Sequence, residues 1–398
     1  MTVSVSHSSL PLPDGDPQVV VRVFALTDVG HTREHNEDAY LVAELDGATE
    51  VAFEEAAGGA QAIVPGERGL LFLVADGMGG AASGELASGM ATDSILKAVN
   101  SKWRATPTVG AESFAAVLRD ATEEANKRIH VHSREFPEHR GMGTTATLAG
   151  LLGDGLYLAQ VGDSRAYLVR GGRAIQITKD QSLMQRLVEA GELTPEEAEN
   201  SDRRNIILQA LGPESQVTVD LTYQQIRRGD TLILCSDGLS GLVRGEEIGR
   251  LANEEREVEA LCHRLVARAN ELGGPDNITV IAARFEGDGL QPSTPHDEIG
   301  HQPFPLAGTL AHEEVAPRAR PTPFKSDPTP ALGTPTIARG SLEEEFQRAR
   351  DAENDTRART DDDVITKRKR QAQPVMVVLL ILASLAAVWV VWSLFFKK

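Results

Sequence analysis

Apolar, strand-like runs in this chain repeatedly stop or start at an aspartate, and that pattern limits the fold more than any other feature. The five are Asp38, Asp76, Asp163, Asp237 and Asp276. They are set in Asn36-Glu37-Asp38, Asp76-Gly77-Met78-Gly79-Gly80, Gly162-Asp163-Ser164-Arg165, Ser236-Asp237-Gly238 and Pro275-Asp276-Asn277. Strand ends can gather carboxylates from distant sequence onto one sheet edge. There they repel unless protons or cations lie between them. Where every ligand is oxygen, the suitable cations are the hard ions Mg2+ and Mn2+. A metal-dependent hydrolase is the expectation.

The runs themselves alternate in type. Strands are predicted at 20–27, 39–43, 70–75, 145–152, 156–161, 166–170, 231–235 and 278–285, and helices at 84–99, 113–134, 182–190, 246–252 and 257–271. The short connection Leu152-Gly153-Asp154-Gly155 implies antiparallel pairing. Helices arriving in consecutive pairs between groups of strands favour sheets faced by helices over a doubly wound parallel fold. The Ala/Glu/Gly-rich stretch 44–69 reads as a loop insertion between two strands. Thr194-Pro195-Glu196-Glu197 has the pattern of a capping box.

Composition divides the chain. Residues 1–18 are Ser/Pro-rich and expected to be disordered, and 19–286 read as one folded domain. Ten of the 20 prolines lie between Pro292 and Pro335, so 287–340 reads as a linker, its four Thr-Pro pairs being ordinary linker composition. A charged segment follows at 341–373. From Pro374 to Phe396 there are 23 residues without a charge, preceded by Lys367-Arg368-Lys369-Arg370. At about 1.5 Å per residue they make roughly 34 Å of helix, enough to span a bilayer, and the basic cluster belongs on the cytoplasmic side. The expected placement is the cytoplasmic membrane, with a single C-terminal anchor and the folded domain in the cytoplasm. A net charge of -18 argues against binding nucleic acid. The two cysteines, Cys235 and Cys262, do not suggest a disulfide framework.

Each motif has a plain reading beside its chemical one. Asp76 leaves an apolar strand at a glycine-rich turn, where a backbone carbonyl can join the carboxylate on a hard cation, or where the aspartate merely caps a helix. Ser236-Asp237-Gly238 repeats the arrangement, and Asp276 reverses it by preceding a strand. Asp163 sits in a turn between two strands and could serve only that turn. Arg33 could pair with the neighbouring acids or grip a phosphate.

Taken in order, these segments resemble the protein phosphatase 2C family of metal-dependent Ser/Thr phosphatases, particularly its bacterial branch. The matching stretches are Thr27-Asp28-Val29-Gly30 to Arg33, Asn36-Glu37-Asp38, Val74-Ala75-Asp76-Gly77-Met78-Gly79-Gly80, Gly141-Met142-Gly143-Thr144-Thr145, Val161 to Arg165, Ser236-Asp237-Gly238-Leu239 and Gly274 to Thr279. They cover about residues 21–286. The resemblance implies an α+β fold, a four-layer α-β-β-α sandwich of two antiparallel sheets flanked by helices, with two Mn2+ or Mg2+ ions in the cleft and a third, weaker one. Asp76 would bridge both metals, Asp237 and Asp276 would hold one, and the Gly77 carbonyl would help hold the other. Glu37 would act on the second metal directly or through water, Asp38 would orient water, Asp163 would serve the third ion, and Arg33 would bind substrate phosphate. Gly143, Thr144 and Thr145 would pack beneath the site.

The implied reaction is hydrolysis of phosphoserine or phosphothreonine by a hydroxide held between the metals, without a phosphoenzyme. The implied partners are phosphorylated proteins and a membrane Ser/Thr kinase that the enzyme opposes. Two departures stand out. Met78 occupies the place of a histidine thought to protonate the leaving oxygen in many relatives, and Gln181 replaces another histidine. His31 and His35 read as loop histidines. Residues from Ser182 to about Leu211 correspond to the family's flap. The rival reading is a catalytically silent module of this fold, serving as a binding protein or scaffold at the membrane.

Overall fold

The computed structural model describes residues 18–45, 59–201, 203–294 and 297–306. In chain order the elements are strands β1 (Val20–Asp28), β2 (Asp38–Glu44), β3 (Gln61–Ile63) and β4 (Leu70–Met78), then helices α1 (Ala81–Ala105) and α2 (Ala111–Glu135). Strands β5 (Gly143–Thr144), β6 (Ala146–Leu152), β7 (Gly155–Val161), β8 (Arg165–Arg170) and β9 (Arg173–Gln176) follow. Short helices α3 (Leu183–Glu189) and α4 (Pro195–Glu199) lead to β10 (Asp220–Gln225), β11 (Thr231–Cys235), α5 (Asp237–Ser240), α6 (Gly245–Glu254), α7 (Val258–Glu271) and β12 (Ile278–Glu286).

Two sheets result, in the orders β3-β1-β12-β11-β8-β9 and β10-β7-β6-β4-β2, with β5 beside β4. All strand pairs are antiparallel. Side-chain alternation sorts the core into layers. Leu70, Phe72 and Val74 of β4 meet Leu232 and Leu234 of β11 and Ile281 and Phe285 of β12 between the sheets. Leu71, Leu73 and Ala75 face α1 and α2 instead, while Ile233, Val280 and Ala282 face α6 and α7. The central strands are buried on both faces, which is why they read as unbroken apolar runs. Helices therefore cover both outer faces of a two-sheet sandwich, and the eight predicted strands and five predicted helices all lie on observed elements.

Four strands escaped the sequence: β3 inside the expected insertion, the two-residue β5, β9 and β10. The expected linker also differs in its first part. Residues 287–306, where described, pack on the domain: Leu290 and Leu306 are buried, and Tyr223 N and Phe304 N donate across β10 to Gln302 O and Leu221 O. This strap gives the edge strand β10 a further hydrogen-bonding neighbour. The capping box at Thr194 is present, with Thr194 and Glu197 each accepting the other's backbone N–H. Among the described residues no helix is long and apolar enough to cross a membrane. The expected membrane helix at 374–396, the charged segment 341–373, the linker beyond Leu306 and residues 1–17 lie outside the described residues.

Candidate active site

Both sheets deliver acids to the same end of the sandwich. Asp38 opens β2 and Asp76 lies near the end of β4, and the two are direct cross-strand partners. From the other sheet, Asp237 follows β11 and Asp276 precedes β12, which pair antiparallel. Asp163 lies in the connection from β7 to β8, where the chain crosses from one sheet to the other. Gly162 takes φ 103° there, and a Cβ on it would press into Thr145. The structure thus brings all five aspartates together. Arg33 and Glu37 join them from the irregular segment between β1 and β2: the Arg33 guanidinium donates to Asp276 Oδ2 at 2.8 Å, and the Glu37 side chain packs against Gly84 at the start of α1. A side chain on Gly77 would collide with the Gly84 and Glu37 carbonyls, so glycine is required for α1 to come this close.

Hydroxyl groups fix these acids, those of Ser236 and Ser164 without having been singled out in the sequence. Ser236 Oγ donates to Asp38 Oδ2 at 2.8 Å and accepts from Thr279 N at 3.0 Å. Asp76 N donates to Thr145 Oγ1 at 2.9 Å, and Thr144 Oγ1 donates to Asp76 O at 2.9 Å. Thr145 and Ser164 hydroxyls are 2.8 Å apart. The expected packing role of Thr144 and Thr145 is therefore also a hydrogen-bonding one. Gln181, at the base of the flap, accepts from Gly162 N at 3.0 Å and donates to Thr218 O at 3.0 Å, anchoring the turn that carries Asp163. The only signals for such residues were their places beside the acids, in Ser-Asp-Gly and Gly-Asp-Ser.

Electrostatically the site is under tension. Asp38, Asp76 and Asp237 keep some solvent contact at the cleft floor, yet protein surrounds them closely. Burial, only partly offset by hydrogen bonds from Thr279 and Ser236, pushes the Asp38 carboxyl up to about 7. Burial and then the charges of Asp38, Asp237, Asp163 and Asp276 push Asp76 well above the carboxylate range. Burial followed by Asp237 does the same to Asp163, and burial followed by Asp276 raises Asp237. Burial also raises Glu37, against the attraction of Arg33. The guanidinium of Arg33 is held above its ordinary range, because the hydrogen bond and charge of Asp276 outweigh burial.

Two buried oxygens here, Asp38 Oδ1 and Asp163 Oδ1, have no hydrogen-bond partner. Orphaned acceptors among crowded carboxylates suit cations, which supply the missing positive charge. Among the described residues no three His, Cys, Asp or Glu side chains are grouped so as to hold one ion by themselves. Asp163, Asp237 and Asp276 line a cavity of about 80 Å³ with Arg165, Asp180 and Arg204. Cys235 is fully buried, and burial holds its thiol at about 12, so it is no nucleophile.

Comparison with known proteins decides the family. The model of the family described as Protein phosphatase 2C matches residues 59–276. The chain belongs to the protein phosphatase 2C family. That match takes in Asp76, Asp163, Asp237 and Asp276, while Arg33, Glu37 and Asp38 precede it. The chain is similar to the serine/threonine phosphatase stp of Listeria welshimeri, 36% identical over 256 residues, which are 64% of this chain and 92% of that protein. Among solved structures it resembles the Mycobacterium tuberculosis serine/threonine phosphatase PstP/Ppp, at 36% identity and TM-score 0.55 over 67% of this chain and 99% of that one. A PstP catalytic domain in complex with 2 manganese ions matches at 35% identity and TM-score 0.53, over 67% of this chain and 99% of that one. In this phosphatase 2C chain Met78 ends β4, where its thioether has no proton to give.

Proposed function

We propose that this chain removes phosphate from phosphoserine and phosphothreonine on proteins by direct attack of water, assisted by two Mn2+ or Mg2+ ions, and that it does so tethered to the cytoplasmic membrane. Family membership makes it a protein-serine/threonine phosphatase, a phosphoric monoester hydrolase. The observation that carries the metal reading is the crowd of five carboxylates with two buried, partnerless oxygens.

In this reading Asp76, Asp237, Asp276 and the Gly77 carbonyl hold the two ions, Glu37 serves the second, and Asp163 with Asp237 holds a weaker third. When bound, such ions lower the pKa of coordinated water and offset charge on phosphoryl oxygens. Asp38 accepts from Ser236 through Oδ2, which leaves its partnerless Oδ1 to hold and orient the attacking water. Arg33 spends one N–H on Asp276, and its remaining donors suit the substrate phosphate. Met78 has no proton to give the leaving oxygen, so another group must supply it. The tether rests on the uncharged run 374–396 and the basic cluster before it. From the membrane the enzyme would oppose a Ser/Thr kinase.

The test is phosphate release from a phosphothreonine peptide by the full chain with Mn2+, Mg2+ or chelator, and with Asp237→Asn. Release that needs metal and fails in the variant is expected. Release indifferent to chelator would sink the metal reading, and a folded chain inert with both metals would favour a silent binding module. A chain ended before residue 374 should leave the membrane fraction; if it stays, the tether is wrong.

A further inference from the structure

The segment from Val29 to Glu37 carries Arg33 and Glu37 yet is neither strand nor helix. Something else must fix it, because a guanidinium displaced by about 1 Å at a reacting centre can cost on the order of a hundredfold in rate. The residue after Asp276 does this. Asn277 is buried, only 4% exposed, and its side chain makes three hydrogen bonds to that segment. Its Oδ1 accepts from Glu37 N at 2.8 Å. Its Nδ2 donates to Val29 O at 3.0 Å and to His35 O at 2.9 Å. Chemistry dictates which way the amide points: carbonyl oxygens can only accept and Glu37 N can only donate. The three contacts bracket Arg33 on both sides.

We propose that Asn277 is a positioning residue, whose amide sets where Arg33 and Glu37 stand relative to Asp276. The inference rests on reading Arg33 as the phosphate-binding group. Asn277 N also donates to Asp276 Oδ1 at 2.9 Å, while Arg33 holds Asp276 Oδ2 at 2.8 Å. One residue thus joins the acid to the segment that must face it. Other ties hold the two ends of the segment: His31 N donates to Gly274 O at 2.7 Å and Gly30 N to Asp28 Oδ1 at 2.8 Å near its start, while Asn36 Nδ2 donates to Thr27 Oγ1 at 2.8 Å and Gly77 N to Glu37 O at 3.2 Å near its end. None of these joins both sides of Arg33 through one side chain, as Asn277 does.

An isosteric aspartate is the discriminating substitution. Asn277→Asp puts an oxygen where Nδ2 faced two carbonyl oxygens, so it repels them, whereas Asn277→Ala only removes the ties and leaves room for water. The experiment uses the full chain with saturating Mn2+ and reads inhibition by inorganic phosphate, turnover of a phosphothreonine peptide, and thermal stability. Asn277→Ala should weaken phosphate inhibition about tenfold and Asn277→Asp further. In an Arg33→Ala background, Asn277→Ala should add little, because the group it positions is already gone. Equal effects of Asn277→Ala with and without Arg33 would overturn the proposal, as would losses that merely follow melting temperature. Should the variants not fold, hydrogen exchange of the wild-type Glu37 amide decides: protection is expected, and rapid exchange refutes the tie. Peptide turnover by the wild-type chain reports separately on the phosphatase reading, so the two fail independently.

Discussion

Two buried charge clusters stand at opposite ends of the same strands, and they are built on opposite principles. At one end Asp163, Asp237 and their neighbours crowd like charge together and leave two oxygens without partners. At the other end, Asp230 precedes β11 and Arg170 closes β8. There Arg170 grips Asp230 with two bonds, Nε to Oδ1 at 2.8 Å and Nη2 to Oδ2 at 2.6 Å, and Arg227 N donates to Asp230 Oδ2 at 2.7 Å. The five residues of β11, roughly 17 Å of extended chain, separate Asp230 from the site end of the strand. The satisfied cluster holds the fold. The crowded cluster holds acids that burial and one another keep above the ordinary carboxylate range. Buried acids alone therefore mark nothing; what separates the two ends is whether every carboxylate oxygen has a donor.

The sharpest way to break this comparison is to neutralise one acid at each end. Asp237→Asn should lower phosphate release by on the order of 10²–10³-fold, the size of effect seen when one preorganised charge-stabilising group is lost. In chelator the same variant should melt no lower than wild type, because it relieves repulsion. A variant that loses activity only by unfolding would erase the distinction. Asp230→Ala should do the reverse. It strands the Arg170 guanidinium, only 10% exposed, and should cost about 3–5 kcal/mol of stability in denaturant titration. Peptide turnover by the fraction still folded should be unchanged.

The strap offers a smaller effect. A chain ended after Glu286 loses Leu290 and Leu306, which are 0% and 6% exposed. At roughly 2 kcal/mol per buried leucine, it should unfold at lower denaturant than one ended after Leu306. Equal stability would return 287–306 to the status of a linker.

Much of the crowded end was legible in the sequence, because its acids terminate strands that are apolar on both faces, such as Leu70 to Ala75. The resemblance supplied the roles, and the fold supplied the meeting point. What was not legible has a common cause. β10 buries Thr222 and Gln224, so its inward face carries no hydrophobic period to detect. β3 and β9 are short edge strands with exposed polar positions. Ser236, Thr145 and Asn277 act through hydrogen bonds whose partners lie far away in sequence, and residue type alone cannot name a partner. The strap hid because its proline content imitates a linker while Leu290, Phe304 and Leu306 follow no helical or strand period.

The comparison sharpens last through pH, the smallest effect because water in the open cleft screens these groups. With chelator present, Asp38 keeps its proton up to about pH 7 in the folded chain, against an ordinary 3.8 unfolded. Between those values the folded state binds more protons than the unfolded one, so stability must fall as pH rises through that window. Asp76, Asp163, Asp237 and Glu37 are raised as well and act in the same sense. Cations that take the place of those protons should remove the slope. Melting temperatures at pH 5, 6, 7 and 8 are therefore expected to decline in chelator and to stay level in Mn2+, and Asp38→Asn should make the decline shallower. Metal-free stability that climbed with pH would mean that donors, not protons, already satisfy the cleft, and that its two ends are alike after all.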